Sequence, residues 1–314
     1  MSFITSEICE IVLKNKLKTE NFQIESYSIE NCNEEVIGFH AKESLFDFQH
    51  ASVALITLAD FHATFLIQQY VENFQFDEKY EEVCFESLFF QDDETIHEGL
   101  VFSFNNILKN ICYKYFNKFT KNFIDKTFDN LKLTTIELLK KSKIHRNFLL
   151  HGDPWGNNIL FKYNDNNQPI EAILVDFQAI RYAPPAVEVL HFLNVGTTNE
   201  TLLKQDELKD IYFSRLTETL ALKHIDINSI LTKEDFLKSC KDFIGLTVAL
   251  RLYYTTLLRL PMNHLKQIQK DADAFLSMFV YGDSENIQKA FEEDKIYQKL
   301  LIDCLENTFQ CFGN

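Results

Sequence analysis

Glycine is scarce in this chain: eight in 314 residues, with only Gly38 and Gly99 ahead of Gly152. A phosphate-cradling loop needs glycines close together so that backbone amides can approach the phosphates, and no G-x-G-x-x-G or P-loop can be drawn. Positive charge is thin as well. Lys and Arg number 31 against 46 Asp and Glu, the net charge is −15, and no Arg precedes Arg146. That balance argues against nucleic acid and anionic membrane surfaces as partners. The seven cysteines (Cys9, Cys32, Cys84, Cys112, Cys240, Cys304, Cys311) are scattered, odd in number and never in a C-x-x-C pair. This disfavours a disulfide framework or a zinc site and fits reduced core thiols in a cytoplasmic protein. The opening MSFITSEICE has no basic segment ahead of an apolar one, so no secretion signal is read. The most apolar run, Ala51 to Ile67, is interrupted by Asp60 and His62 and predicts a buried helix with no membrane span.

What the chain does have is apolar mass: 46% of residues, including 30 Phe, enough for one large or two modest domains. Apolar spacing predicts helices over 5–18, 47–74, 101–121, 127–142, 186–194, 199–222, 233–260 behind a Thr232 cap, and 283–308. Strands are predicted at 22–29 and at 147–150. Residues 75–98 are acidic and read as a solvated connection, and CYKYFNKFTKNFIDK reads as a solvated amphipathic face. The fold class is therefore α+β and mostly helical.

The stretch from Phe148 to Phe192 concentrates oxygen-bearing side chains at a loop and a hairpin. Residues 158–162 and 171–175 are short and apolar-rich, and the turn formers Asn164 to Pro169 separate them, so they read as two antiparallel strands. A turn centred near Asn167 would set Asn158 opposite Asp176, with Cβ atoms ~5 Å apart. The other face would carry Ile159, Phe161, Ile173 and Val175, which fixes that register. An amide oxygen beside a carboxylate suits Mg²⁺, a hard ion that takes one or two protein ligands and completes its shell with water and phosphate. Asp153, five residues before Asn158, can point at whatever the metal holds. Asp and Asn at such turns also cap backbone amides, a purely structural use of the same residues.

HGDPWGNNILF followed by VDFQ closely resembles the catalytic signature of the ecdysteroid kinase-like (CHK kinase-like) family, a branch of the choline kinase and aminoglycoside phosphotransferase superfamily with a protein-kinase-like fold. His151, Gly152, Asp153, Trp155, Asn158, Leu160 and Phe161 fit, then Asp176, Phe177 and Gln178. The resemblance implies a C-terminal lobe with a catalytic β-hairpin. It further implies Asp153 as the base for an acceptor hydroxyl and Asn158 and Asp176 as Mg²⁺ ligands bridging ATP phosphates, with His151, Trp155 and Gln178 in support. Where the family commonly has Asp-Leu, an acid that helps tie the catalytic loop, this chain has Glu188-Val189. Leu58 to Ala63, LADFHA, resembles the family's "LA-x-x-HA" helix behind that loop. His62 reads as a satisfied core histidine without chemistry of its own. Arg251, Tyr253, Tyr254 and Arg259 lie on a helix that could wall an acceptor pocket, though a core or surface role is the commoner use of such residues.

The resemblance spans residues 38–310 and implies an ATP-dependent kinase acting on a hydroxyl of a small steroid-like or xenobiotic molecule. The family's N-terminal lobe supplies a Gly-rich loop and a lysine for the phosphates. Only 37 residues precede Gly38, so residues 1–37 are expected to be a vestigial, truncated remnant of that lobe and 38–314 the catalytic lobe. The alternative is an inactive pseudokinase that binds or regulates, because the loop and lysine are absent. A metal-dependent hydrolase is the weakest reading, since no His/Asp cluster of di-metal spacing accompanies the carboxylates.

Overall fold

A computed structural model describes residues 38–39, 45–71, 74, 100–271, 273–274, 278, 282 and 284–313. The helix expected at 5–18, the strand at 22–29, the acidic connection at 75–98 and the expected N-terminal remnant over 1–37 lie outside the described residues. In chain order the elements are β1 (Gly38–Phe39), α1 (Phe48–Val71), α2 (Leu100–Tyr115), α3 (Lys121–Leu138), β2 (Phe148–Leu150), β3 (Ile159–Tyr163) and β4 (Pro169–Leu174). Then come β5 (Arg181–Ala183), α4 (Pro185–Gly196), α5 (Asn199–Leu202), α6 (Gln205–Ala221), α7 (Lys233–Asp242), α8 (Ile244–Leu258), α9 (Met262–Lys270), α10 (Glu285–Glu293) and α11 (Lys295–Phe312). The mostly helical α+β class is the class observed. The chain divides into two compact units: Met1–Phe85 with Lys141–Ser239, and Glu86–Lys140 with Cys240–Asn314.

The first unit is built on α1. Asp47 caps it, accepting the His50 amide at 2.9 Å; partial burial alone would raise its carboxyl's pKa, but the His50 amide and ring and the Gln49 amide together lower it. By length and composition α1 could cross a membrane. Ala51, Leu55, Leu58 and His62 are instead fully buried, where α1 packs on α6 and β4. Asp60, the charge within the apolar run, takes a bidentate pair from Arg215 of α6 at 2.8 and 2.9 Å. Phe46 ties the start of α1 to the end of α4 through a parallel bridge to Thr197, and its ring, fully buried, lies against Phe161 and Phe192.

The hairpin forms as expected, but its register differs by one residue. Ile159 faces Leu174 and Phe161 faces Ala172, and the Val175 amide donates to the Asn158 carbonyl at 3.0 Å, so Asn158 opposes Val175. Asp176 is the next residue along. Ile159, Phe161, Ala172 and Leu174 are buried, while Ile173, expected inside, is 41% exposed. The cause lies in the turn. It is centred on Asn166, one residue earlier than expected: Asn164 closes the loop by accepting the Asn167 amide at 2.9 Å and donating its own to the Gln168 carbonyl at 3.0 Å, and Asn167 takes the left-handed conformation (φ 58°). This is a three-residue loop with a bulge, here between Lys162 and Tyr163, and the two together displace the pairing from the expected one. Pro169 is tolerated as the first residue of the edge strand β4.

A second small sheet, β2 paired antiparallel with β5, was read from sequence only in its first strand. The helix expected over 199–222 is broken at Leu203–Lys204, and that over 233–260 at Phe243. Thr232 does cap α7, accepting the Asp235 amide at 3.1 Å. The last helix is divided at Asp294, whose carboxylate accepts the Ile296 and Tyr297 amides and starts a new helix. The helices expected at 101–121 and 127–142 run over Leu100–Tyr115 and Lys121–Leu138, with Thr120 capping the second.

The second unit is helical. Its core includes Leu108, Phe128, Leu131, Leu250, Leu301 and Phe309. Tyr253 belongs to this core, its hydroxyl donating to Asn105 at 2.8 Å, while Arg251, Tyr254 and Arg259 are half-buried. Among the described cysteines, Cys112, Cys240 and Cys304 are buried and none forms a disulfide.

The hairpin turn can be tested directly. Asn167→Gly should leave stability unchanged or raise it, and Asn167→Val should cost about 1–2 kcal/mol, because a β-branched residue resists φ > 0. Urea unfolding of the two variants measures the difference.

Candidate active site

The site is assembled on the loop between β2 and β3. Leaving the buried strand Phe148–Leu150, the backbone turns at Gly152, which has φ 87°. A Cβ there would lie 1.7 Å from the Ala179 carbonyl oxygen, so only glycine fits. Both ends of this residue are gripped by charged side chains. The Gly152 N–H donates to Glu188 Oε1 at 2.6 Å, and its carbonyl accepts from Arg181 Nη2 at 3.2 Å.

Glu188 does more than hold one amide. Its other oxygen accepts the His151 N–H at 3.2 Å and His62 Nε2–H at 2.7 Å. The side chain is fully buried, and burial by itself raises the carboxyl's pKa. The hydrogen bond from His62, the electrostatic influence of the His62 and His151 rings and the Gly152 amide together overcome that, leaving the pKa below its ordinary value. Glu188 is therefore an ionised group in the interior with each oxygen occupied. Nearby His191 is driven the other way: burial and the Arg181 charge push it down to about 3, so it stays neutral.

The loop geometry then orients Asp153. His151 Nε2 donates to the Val175 carbonyl at 2.8 Å, which leaves Nδ1 to accept the Asp153 amide at 3.3 Å. The His151 ring packs on Phe177, which in turn packs on Phe61 of α1. Asp153 is buried. Its Oδ2 accepts from Trp155 Nε1 at 3.1 Å and from Asn158 Nδ2 at 3.0 Å, and the same amide nitrogen reaches the Asp153 carbonyl at 3.0 Å. Fixing one carboxylate oxygen in this way fixes the direction of the other.

Asn158 ends the short 3-10 turn Gly156–Asn158. Nδ2 is committed to Asp153, which leaves Oδ1 as the atom of this side chain that could ligate a cation. Asp176 is exposed and adopts a left-handed conformation, φ 62° and ψ 71°, on the second residue past β4. Such a conformation costs a non-glycine residue on the order of 1–2 kcal/mol, less for Asp and Asn, and occurs both in turns, as at Asn167, and at functional positions. It also breaks the strand's alternation, so Asp176 is not bound to the side its number in a continuous strand would dictate. The direct opposition expected of Asn158 and Asp176 is replaced by a one-residue offset between them. An amide oxygen and a carboxylate remain a hard-donor pair that fits Mg²⁺. Among the described residues there is no group of three or more His, Cys, Asp or Glu able to hold a metal ion. Gln178 falls within the turn Phe177–Ala179, and its side chain is outside the described residues.

Sequence spacing did not single out Arg181 or Tyr212. Arg181 lies on β5, outside the motif residues, and Tyr212 sits on α6 with its hydroxyl 2.6 Å from His62 Nδ1. His62 is the satisfied core histidine expected, fully buried, yet one of its partners is the acid that holds the loop.

The site is thus a histidine-glycine turn presenting an oriented aspartate, followed by an amide and, at the far end of the hairpin, a second aspartate. The profile of the ecdysteroid kinase-like family matches residues 29–225, well over half of the chain, and the chain belongs to that family. Curated proteins give no match. Among solved structures, the choline kinase from Cryptosporidium parvum Iowa II is similar at 12% identity and a TM-score of 0.35, over 82% of this chain and 67% of that one. A likeness at that score adds nothing to the family match.

Two outcomes follow from the loop. Gly152→Ala should destabilise the protein by on the order of 4 kcal/mol or more, because the clash is with backbone. Because Glu188 has a lowered carboxyl pKa in the folded state, it stabilises fully above the ordinary value of 4.5, and that stability is lost as pH falls through the depressed value. Melting curves between neutral pH and the acid limb should show this loss in the native protein and less of it in Glu188→Gln.

Proposed function

We propose that this chain is a phosphotransferase that moves the γ-phosphate of ATP to a hydroxyl of a small, steroid-like or xenobiotic acceptor. Membership of the ecdysteroid kinase-like family supports the reaction class. The observation that carries the reading is the orientation of buried Asp153 by Trp155 and Asn158. Asp153 acts as the base, receiving the acceptor's hydroxyl proton as the oxygen attacks the γ-phosphorus and the bond to the β–γ bridging oxygen breaks, releasing ADP. Asn158 and Asp176 are the residues that would hold Mg²⁺, which when bound neutralises charge on the phosphate oxygens. The chain's further contribution is positioning. The Glu188 and Arg181 contacts with Gly152 keep Asp153 from drifting, and misplacement of a reacting group by ~1 Å can cost on the order of 100-fold in rate. Placement in the cytoplasm, where ATP is available, belongs to the same proposal.

The test combines binding and turnover. Melting of the full chain with Mg·ATP should shift upward, since a ligand that binds only the folded state stabilises it by mass action. Asp176→Asn should weaken that shift. Asp153→Asn should keep the shift but lower ATP turnover by about 100-fold or more, the contribution of a general base. No shift at millimolar Mg·ATP would overturn the proposal, and a shift without turnover would favour the second reading, a relative that binds nucleotide and regulates.

A further inference from the structure

The buried carboxylate of Glu188 has a partner on its far side that neither the hairpin nor the loop supplies. His62, on α1, donates Nε2–H to Glu188 Oε2 at 2.7 Å, and its Nδ1 lies 2.6 Å from the hydroxyl of Tyr212 on α6. A neutral imidazole has one donor and one acceptor nitrogen. Donation to a carboxylate assigns the proton to Nε2, and Nδ1 then accepts from the tyrosine hydroxyl. His62 and the Tyr212 ring are both fully buried. Phe148 and Tyr212 each meet the His62 ring edge to face, and Phe236 packs on the far side of Tyr212. The imidazole has no room to turn.

We infer that His62 and Tyr212 are positioning residues for Asp153, acting through Glu188 on the His151 and Gly152 amides. The chain of contacts is continuous: Tyr212 hydroxyl, His62 ring, Glu188 carboxylate, two loop amides, then the aspartate one residue on. Glu188 Oε2 is shared between His62 and the His151 amide. Without the imidazole, the carboxylate would lose the donor that sets its rotamer and would no longer meet both amides at once. Outer partners of this kind typically change activity by about 10–100-fold when removed. His62 and Tyr212 act on Asp153 through Glu188 and the loop backbone, which makes them positioning residues.

The inference rests on the proposed function for its catalytic meaning, but its test need not. Amide hydrogen exchange would be followed in the full chain for the native protein, His62→Leu, His62→Gln and Tyr212→Phe, with ATP turnover measured in parallel. Glutamine places an amide nitrogen where Nε2 stands, so His62→Gln keeps the donor to Glu188, and Tyr212→Phe keeps the ring packing while removing the hydroxyl. Exchange at His151 and Gly152 is expected to rise by about 10-fold or more in His62→Leu while the Phe161 amide in the hairpin keeps its protection, a local opening and not a general loosening. His62→Gln should restore most of the protection, and Tyr212→Phe should fall between. Turnover should drop in the same order, with kcat falling about 10–100-fold and the KM for Mg·ATP little changed. Should His62→Leu fail to fold, Tyr212→Phe carries the test. Exchange at the two loop amides unchanged in the folded variants, raised equally throughout the unit, or raised as much in His62→Gln as in His62→Leu would overturn the inference. Absence of turnover in the native protein would sink the proposed reaction and leave the exchange result to decide this one.

Discussion

The structure depends on one buried carboxylate. Glu188 sits at the start of α4, fixed in direction by the Pro184-Pro185 pair, and reaches back to the loop that leaves β2. An ionised carboxyl in the interior is costly unless each oxygen is satisfied. Here the compensation comes from the backbone of His151 and Gly152 and from the ring of His62. The same bonds that make the charge tolerable hold Gly152 in a conformation only glycine accepts. Loop geometry and charge burial are one problem with one solution. Glutamate also answers the question raised by its place in the sequence, where the family commonly has aspartate: its longer arm still meets both amides.

Around that anchor the loop is over-determined. Arg181 takes the Gly152 carbonyl, the His151 ring bridges the Val175 carbonyl and the Asp153 amide, and Asn158 returns to Asp153 from the base of the hairpin. A side chain held by groups that are themselves packed is the usual requirement for a reacting position. The left-handed Asp176 contrasts with this. It is exposed, and its conformation is one that the local sequence does not favour. The rigid part of the site orients Asp153, and the strained part presents a carboxylate to solvent.

Much of this was legible in the sequence, and the limits were physical. The motif from His151 to Asn158, the second acid at Asp176, the hairpin and the long helix through His62 could all be read locally. The register could not, because Asn164, Asp165, Asn166 and Asn167 are all competent turn formers, and which one goes left-handed decides the pairing. Ile173 and Leu174 are adjacent and equally apolar, so hydrophobicity alone did not say which faced in. The break at Lys204 interrupts helical periodicity without a Gly or Pro to announce it, and the glycine nearest the Phe243 break, Gly245, lies inside the first turn of α8 and so does not mark the stop. β5 was missed because three residues ending at a Pro-Pro pair look like a connection, and only their pairing with β2 makes them a strand. His62 was correctly read as interior, but its partner lies 126 positions away, a distance that no periodicity reports.

α1 acts as a ruler. His50 near its start touches the Tyr163 hydroxyl at 3.0 Å, Thr57 donates to the Ala172 carbonyl at 3.2 Å, and His62 meets Glu188. One rigid rod thus sets the separation between the hairpin's tip and the acid beneath the loop. Because each residue advances a helix by ~1.5 Å and ~100°, inserting or deleting a single residue between His50 and His62 would swing one contact off its partner while the other stayed. The apolar side chains between these contacts can be exchanged for others of similar volume, but the length of the span cannot change.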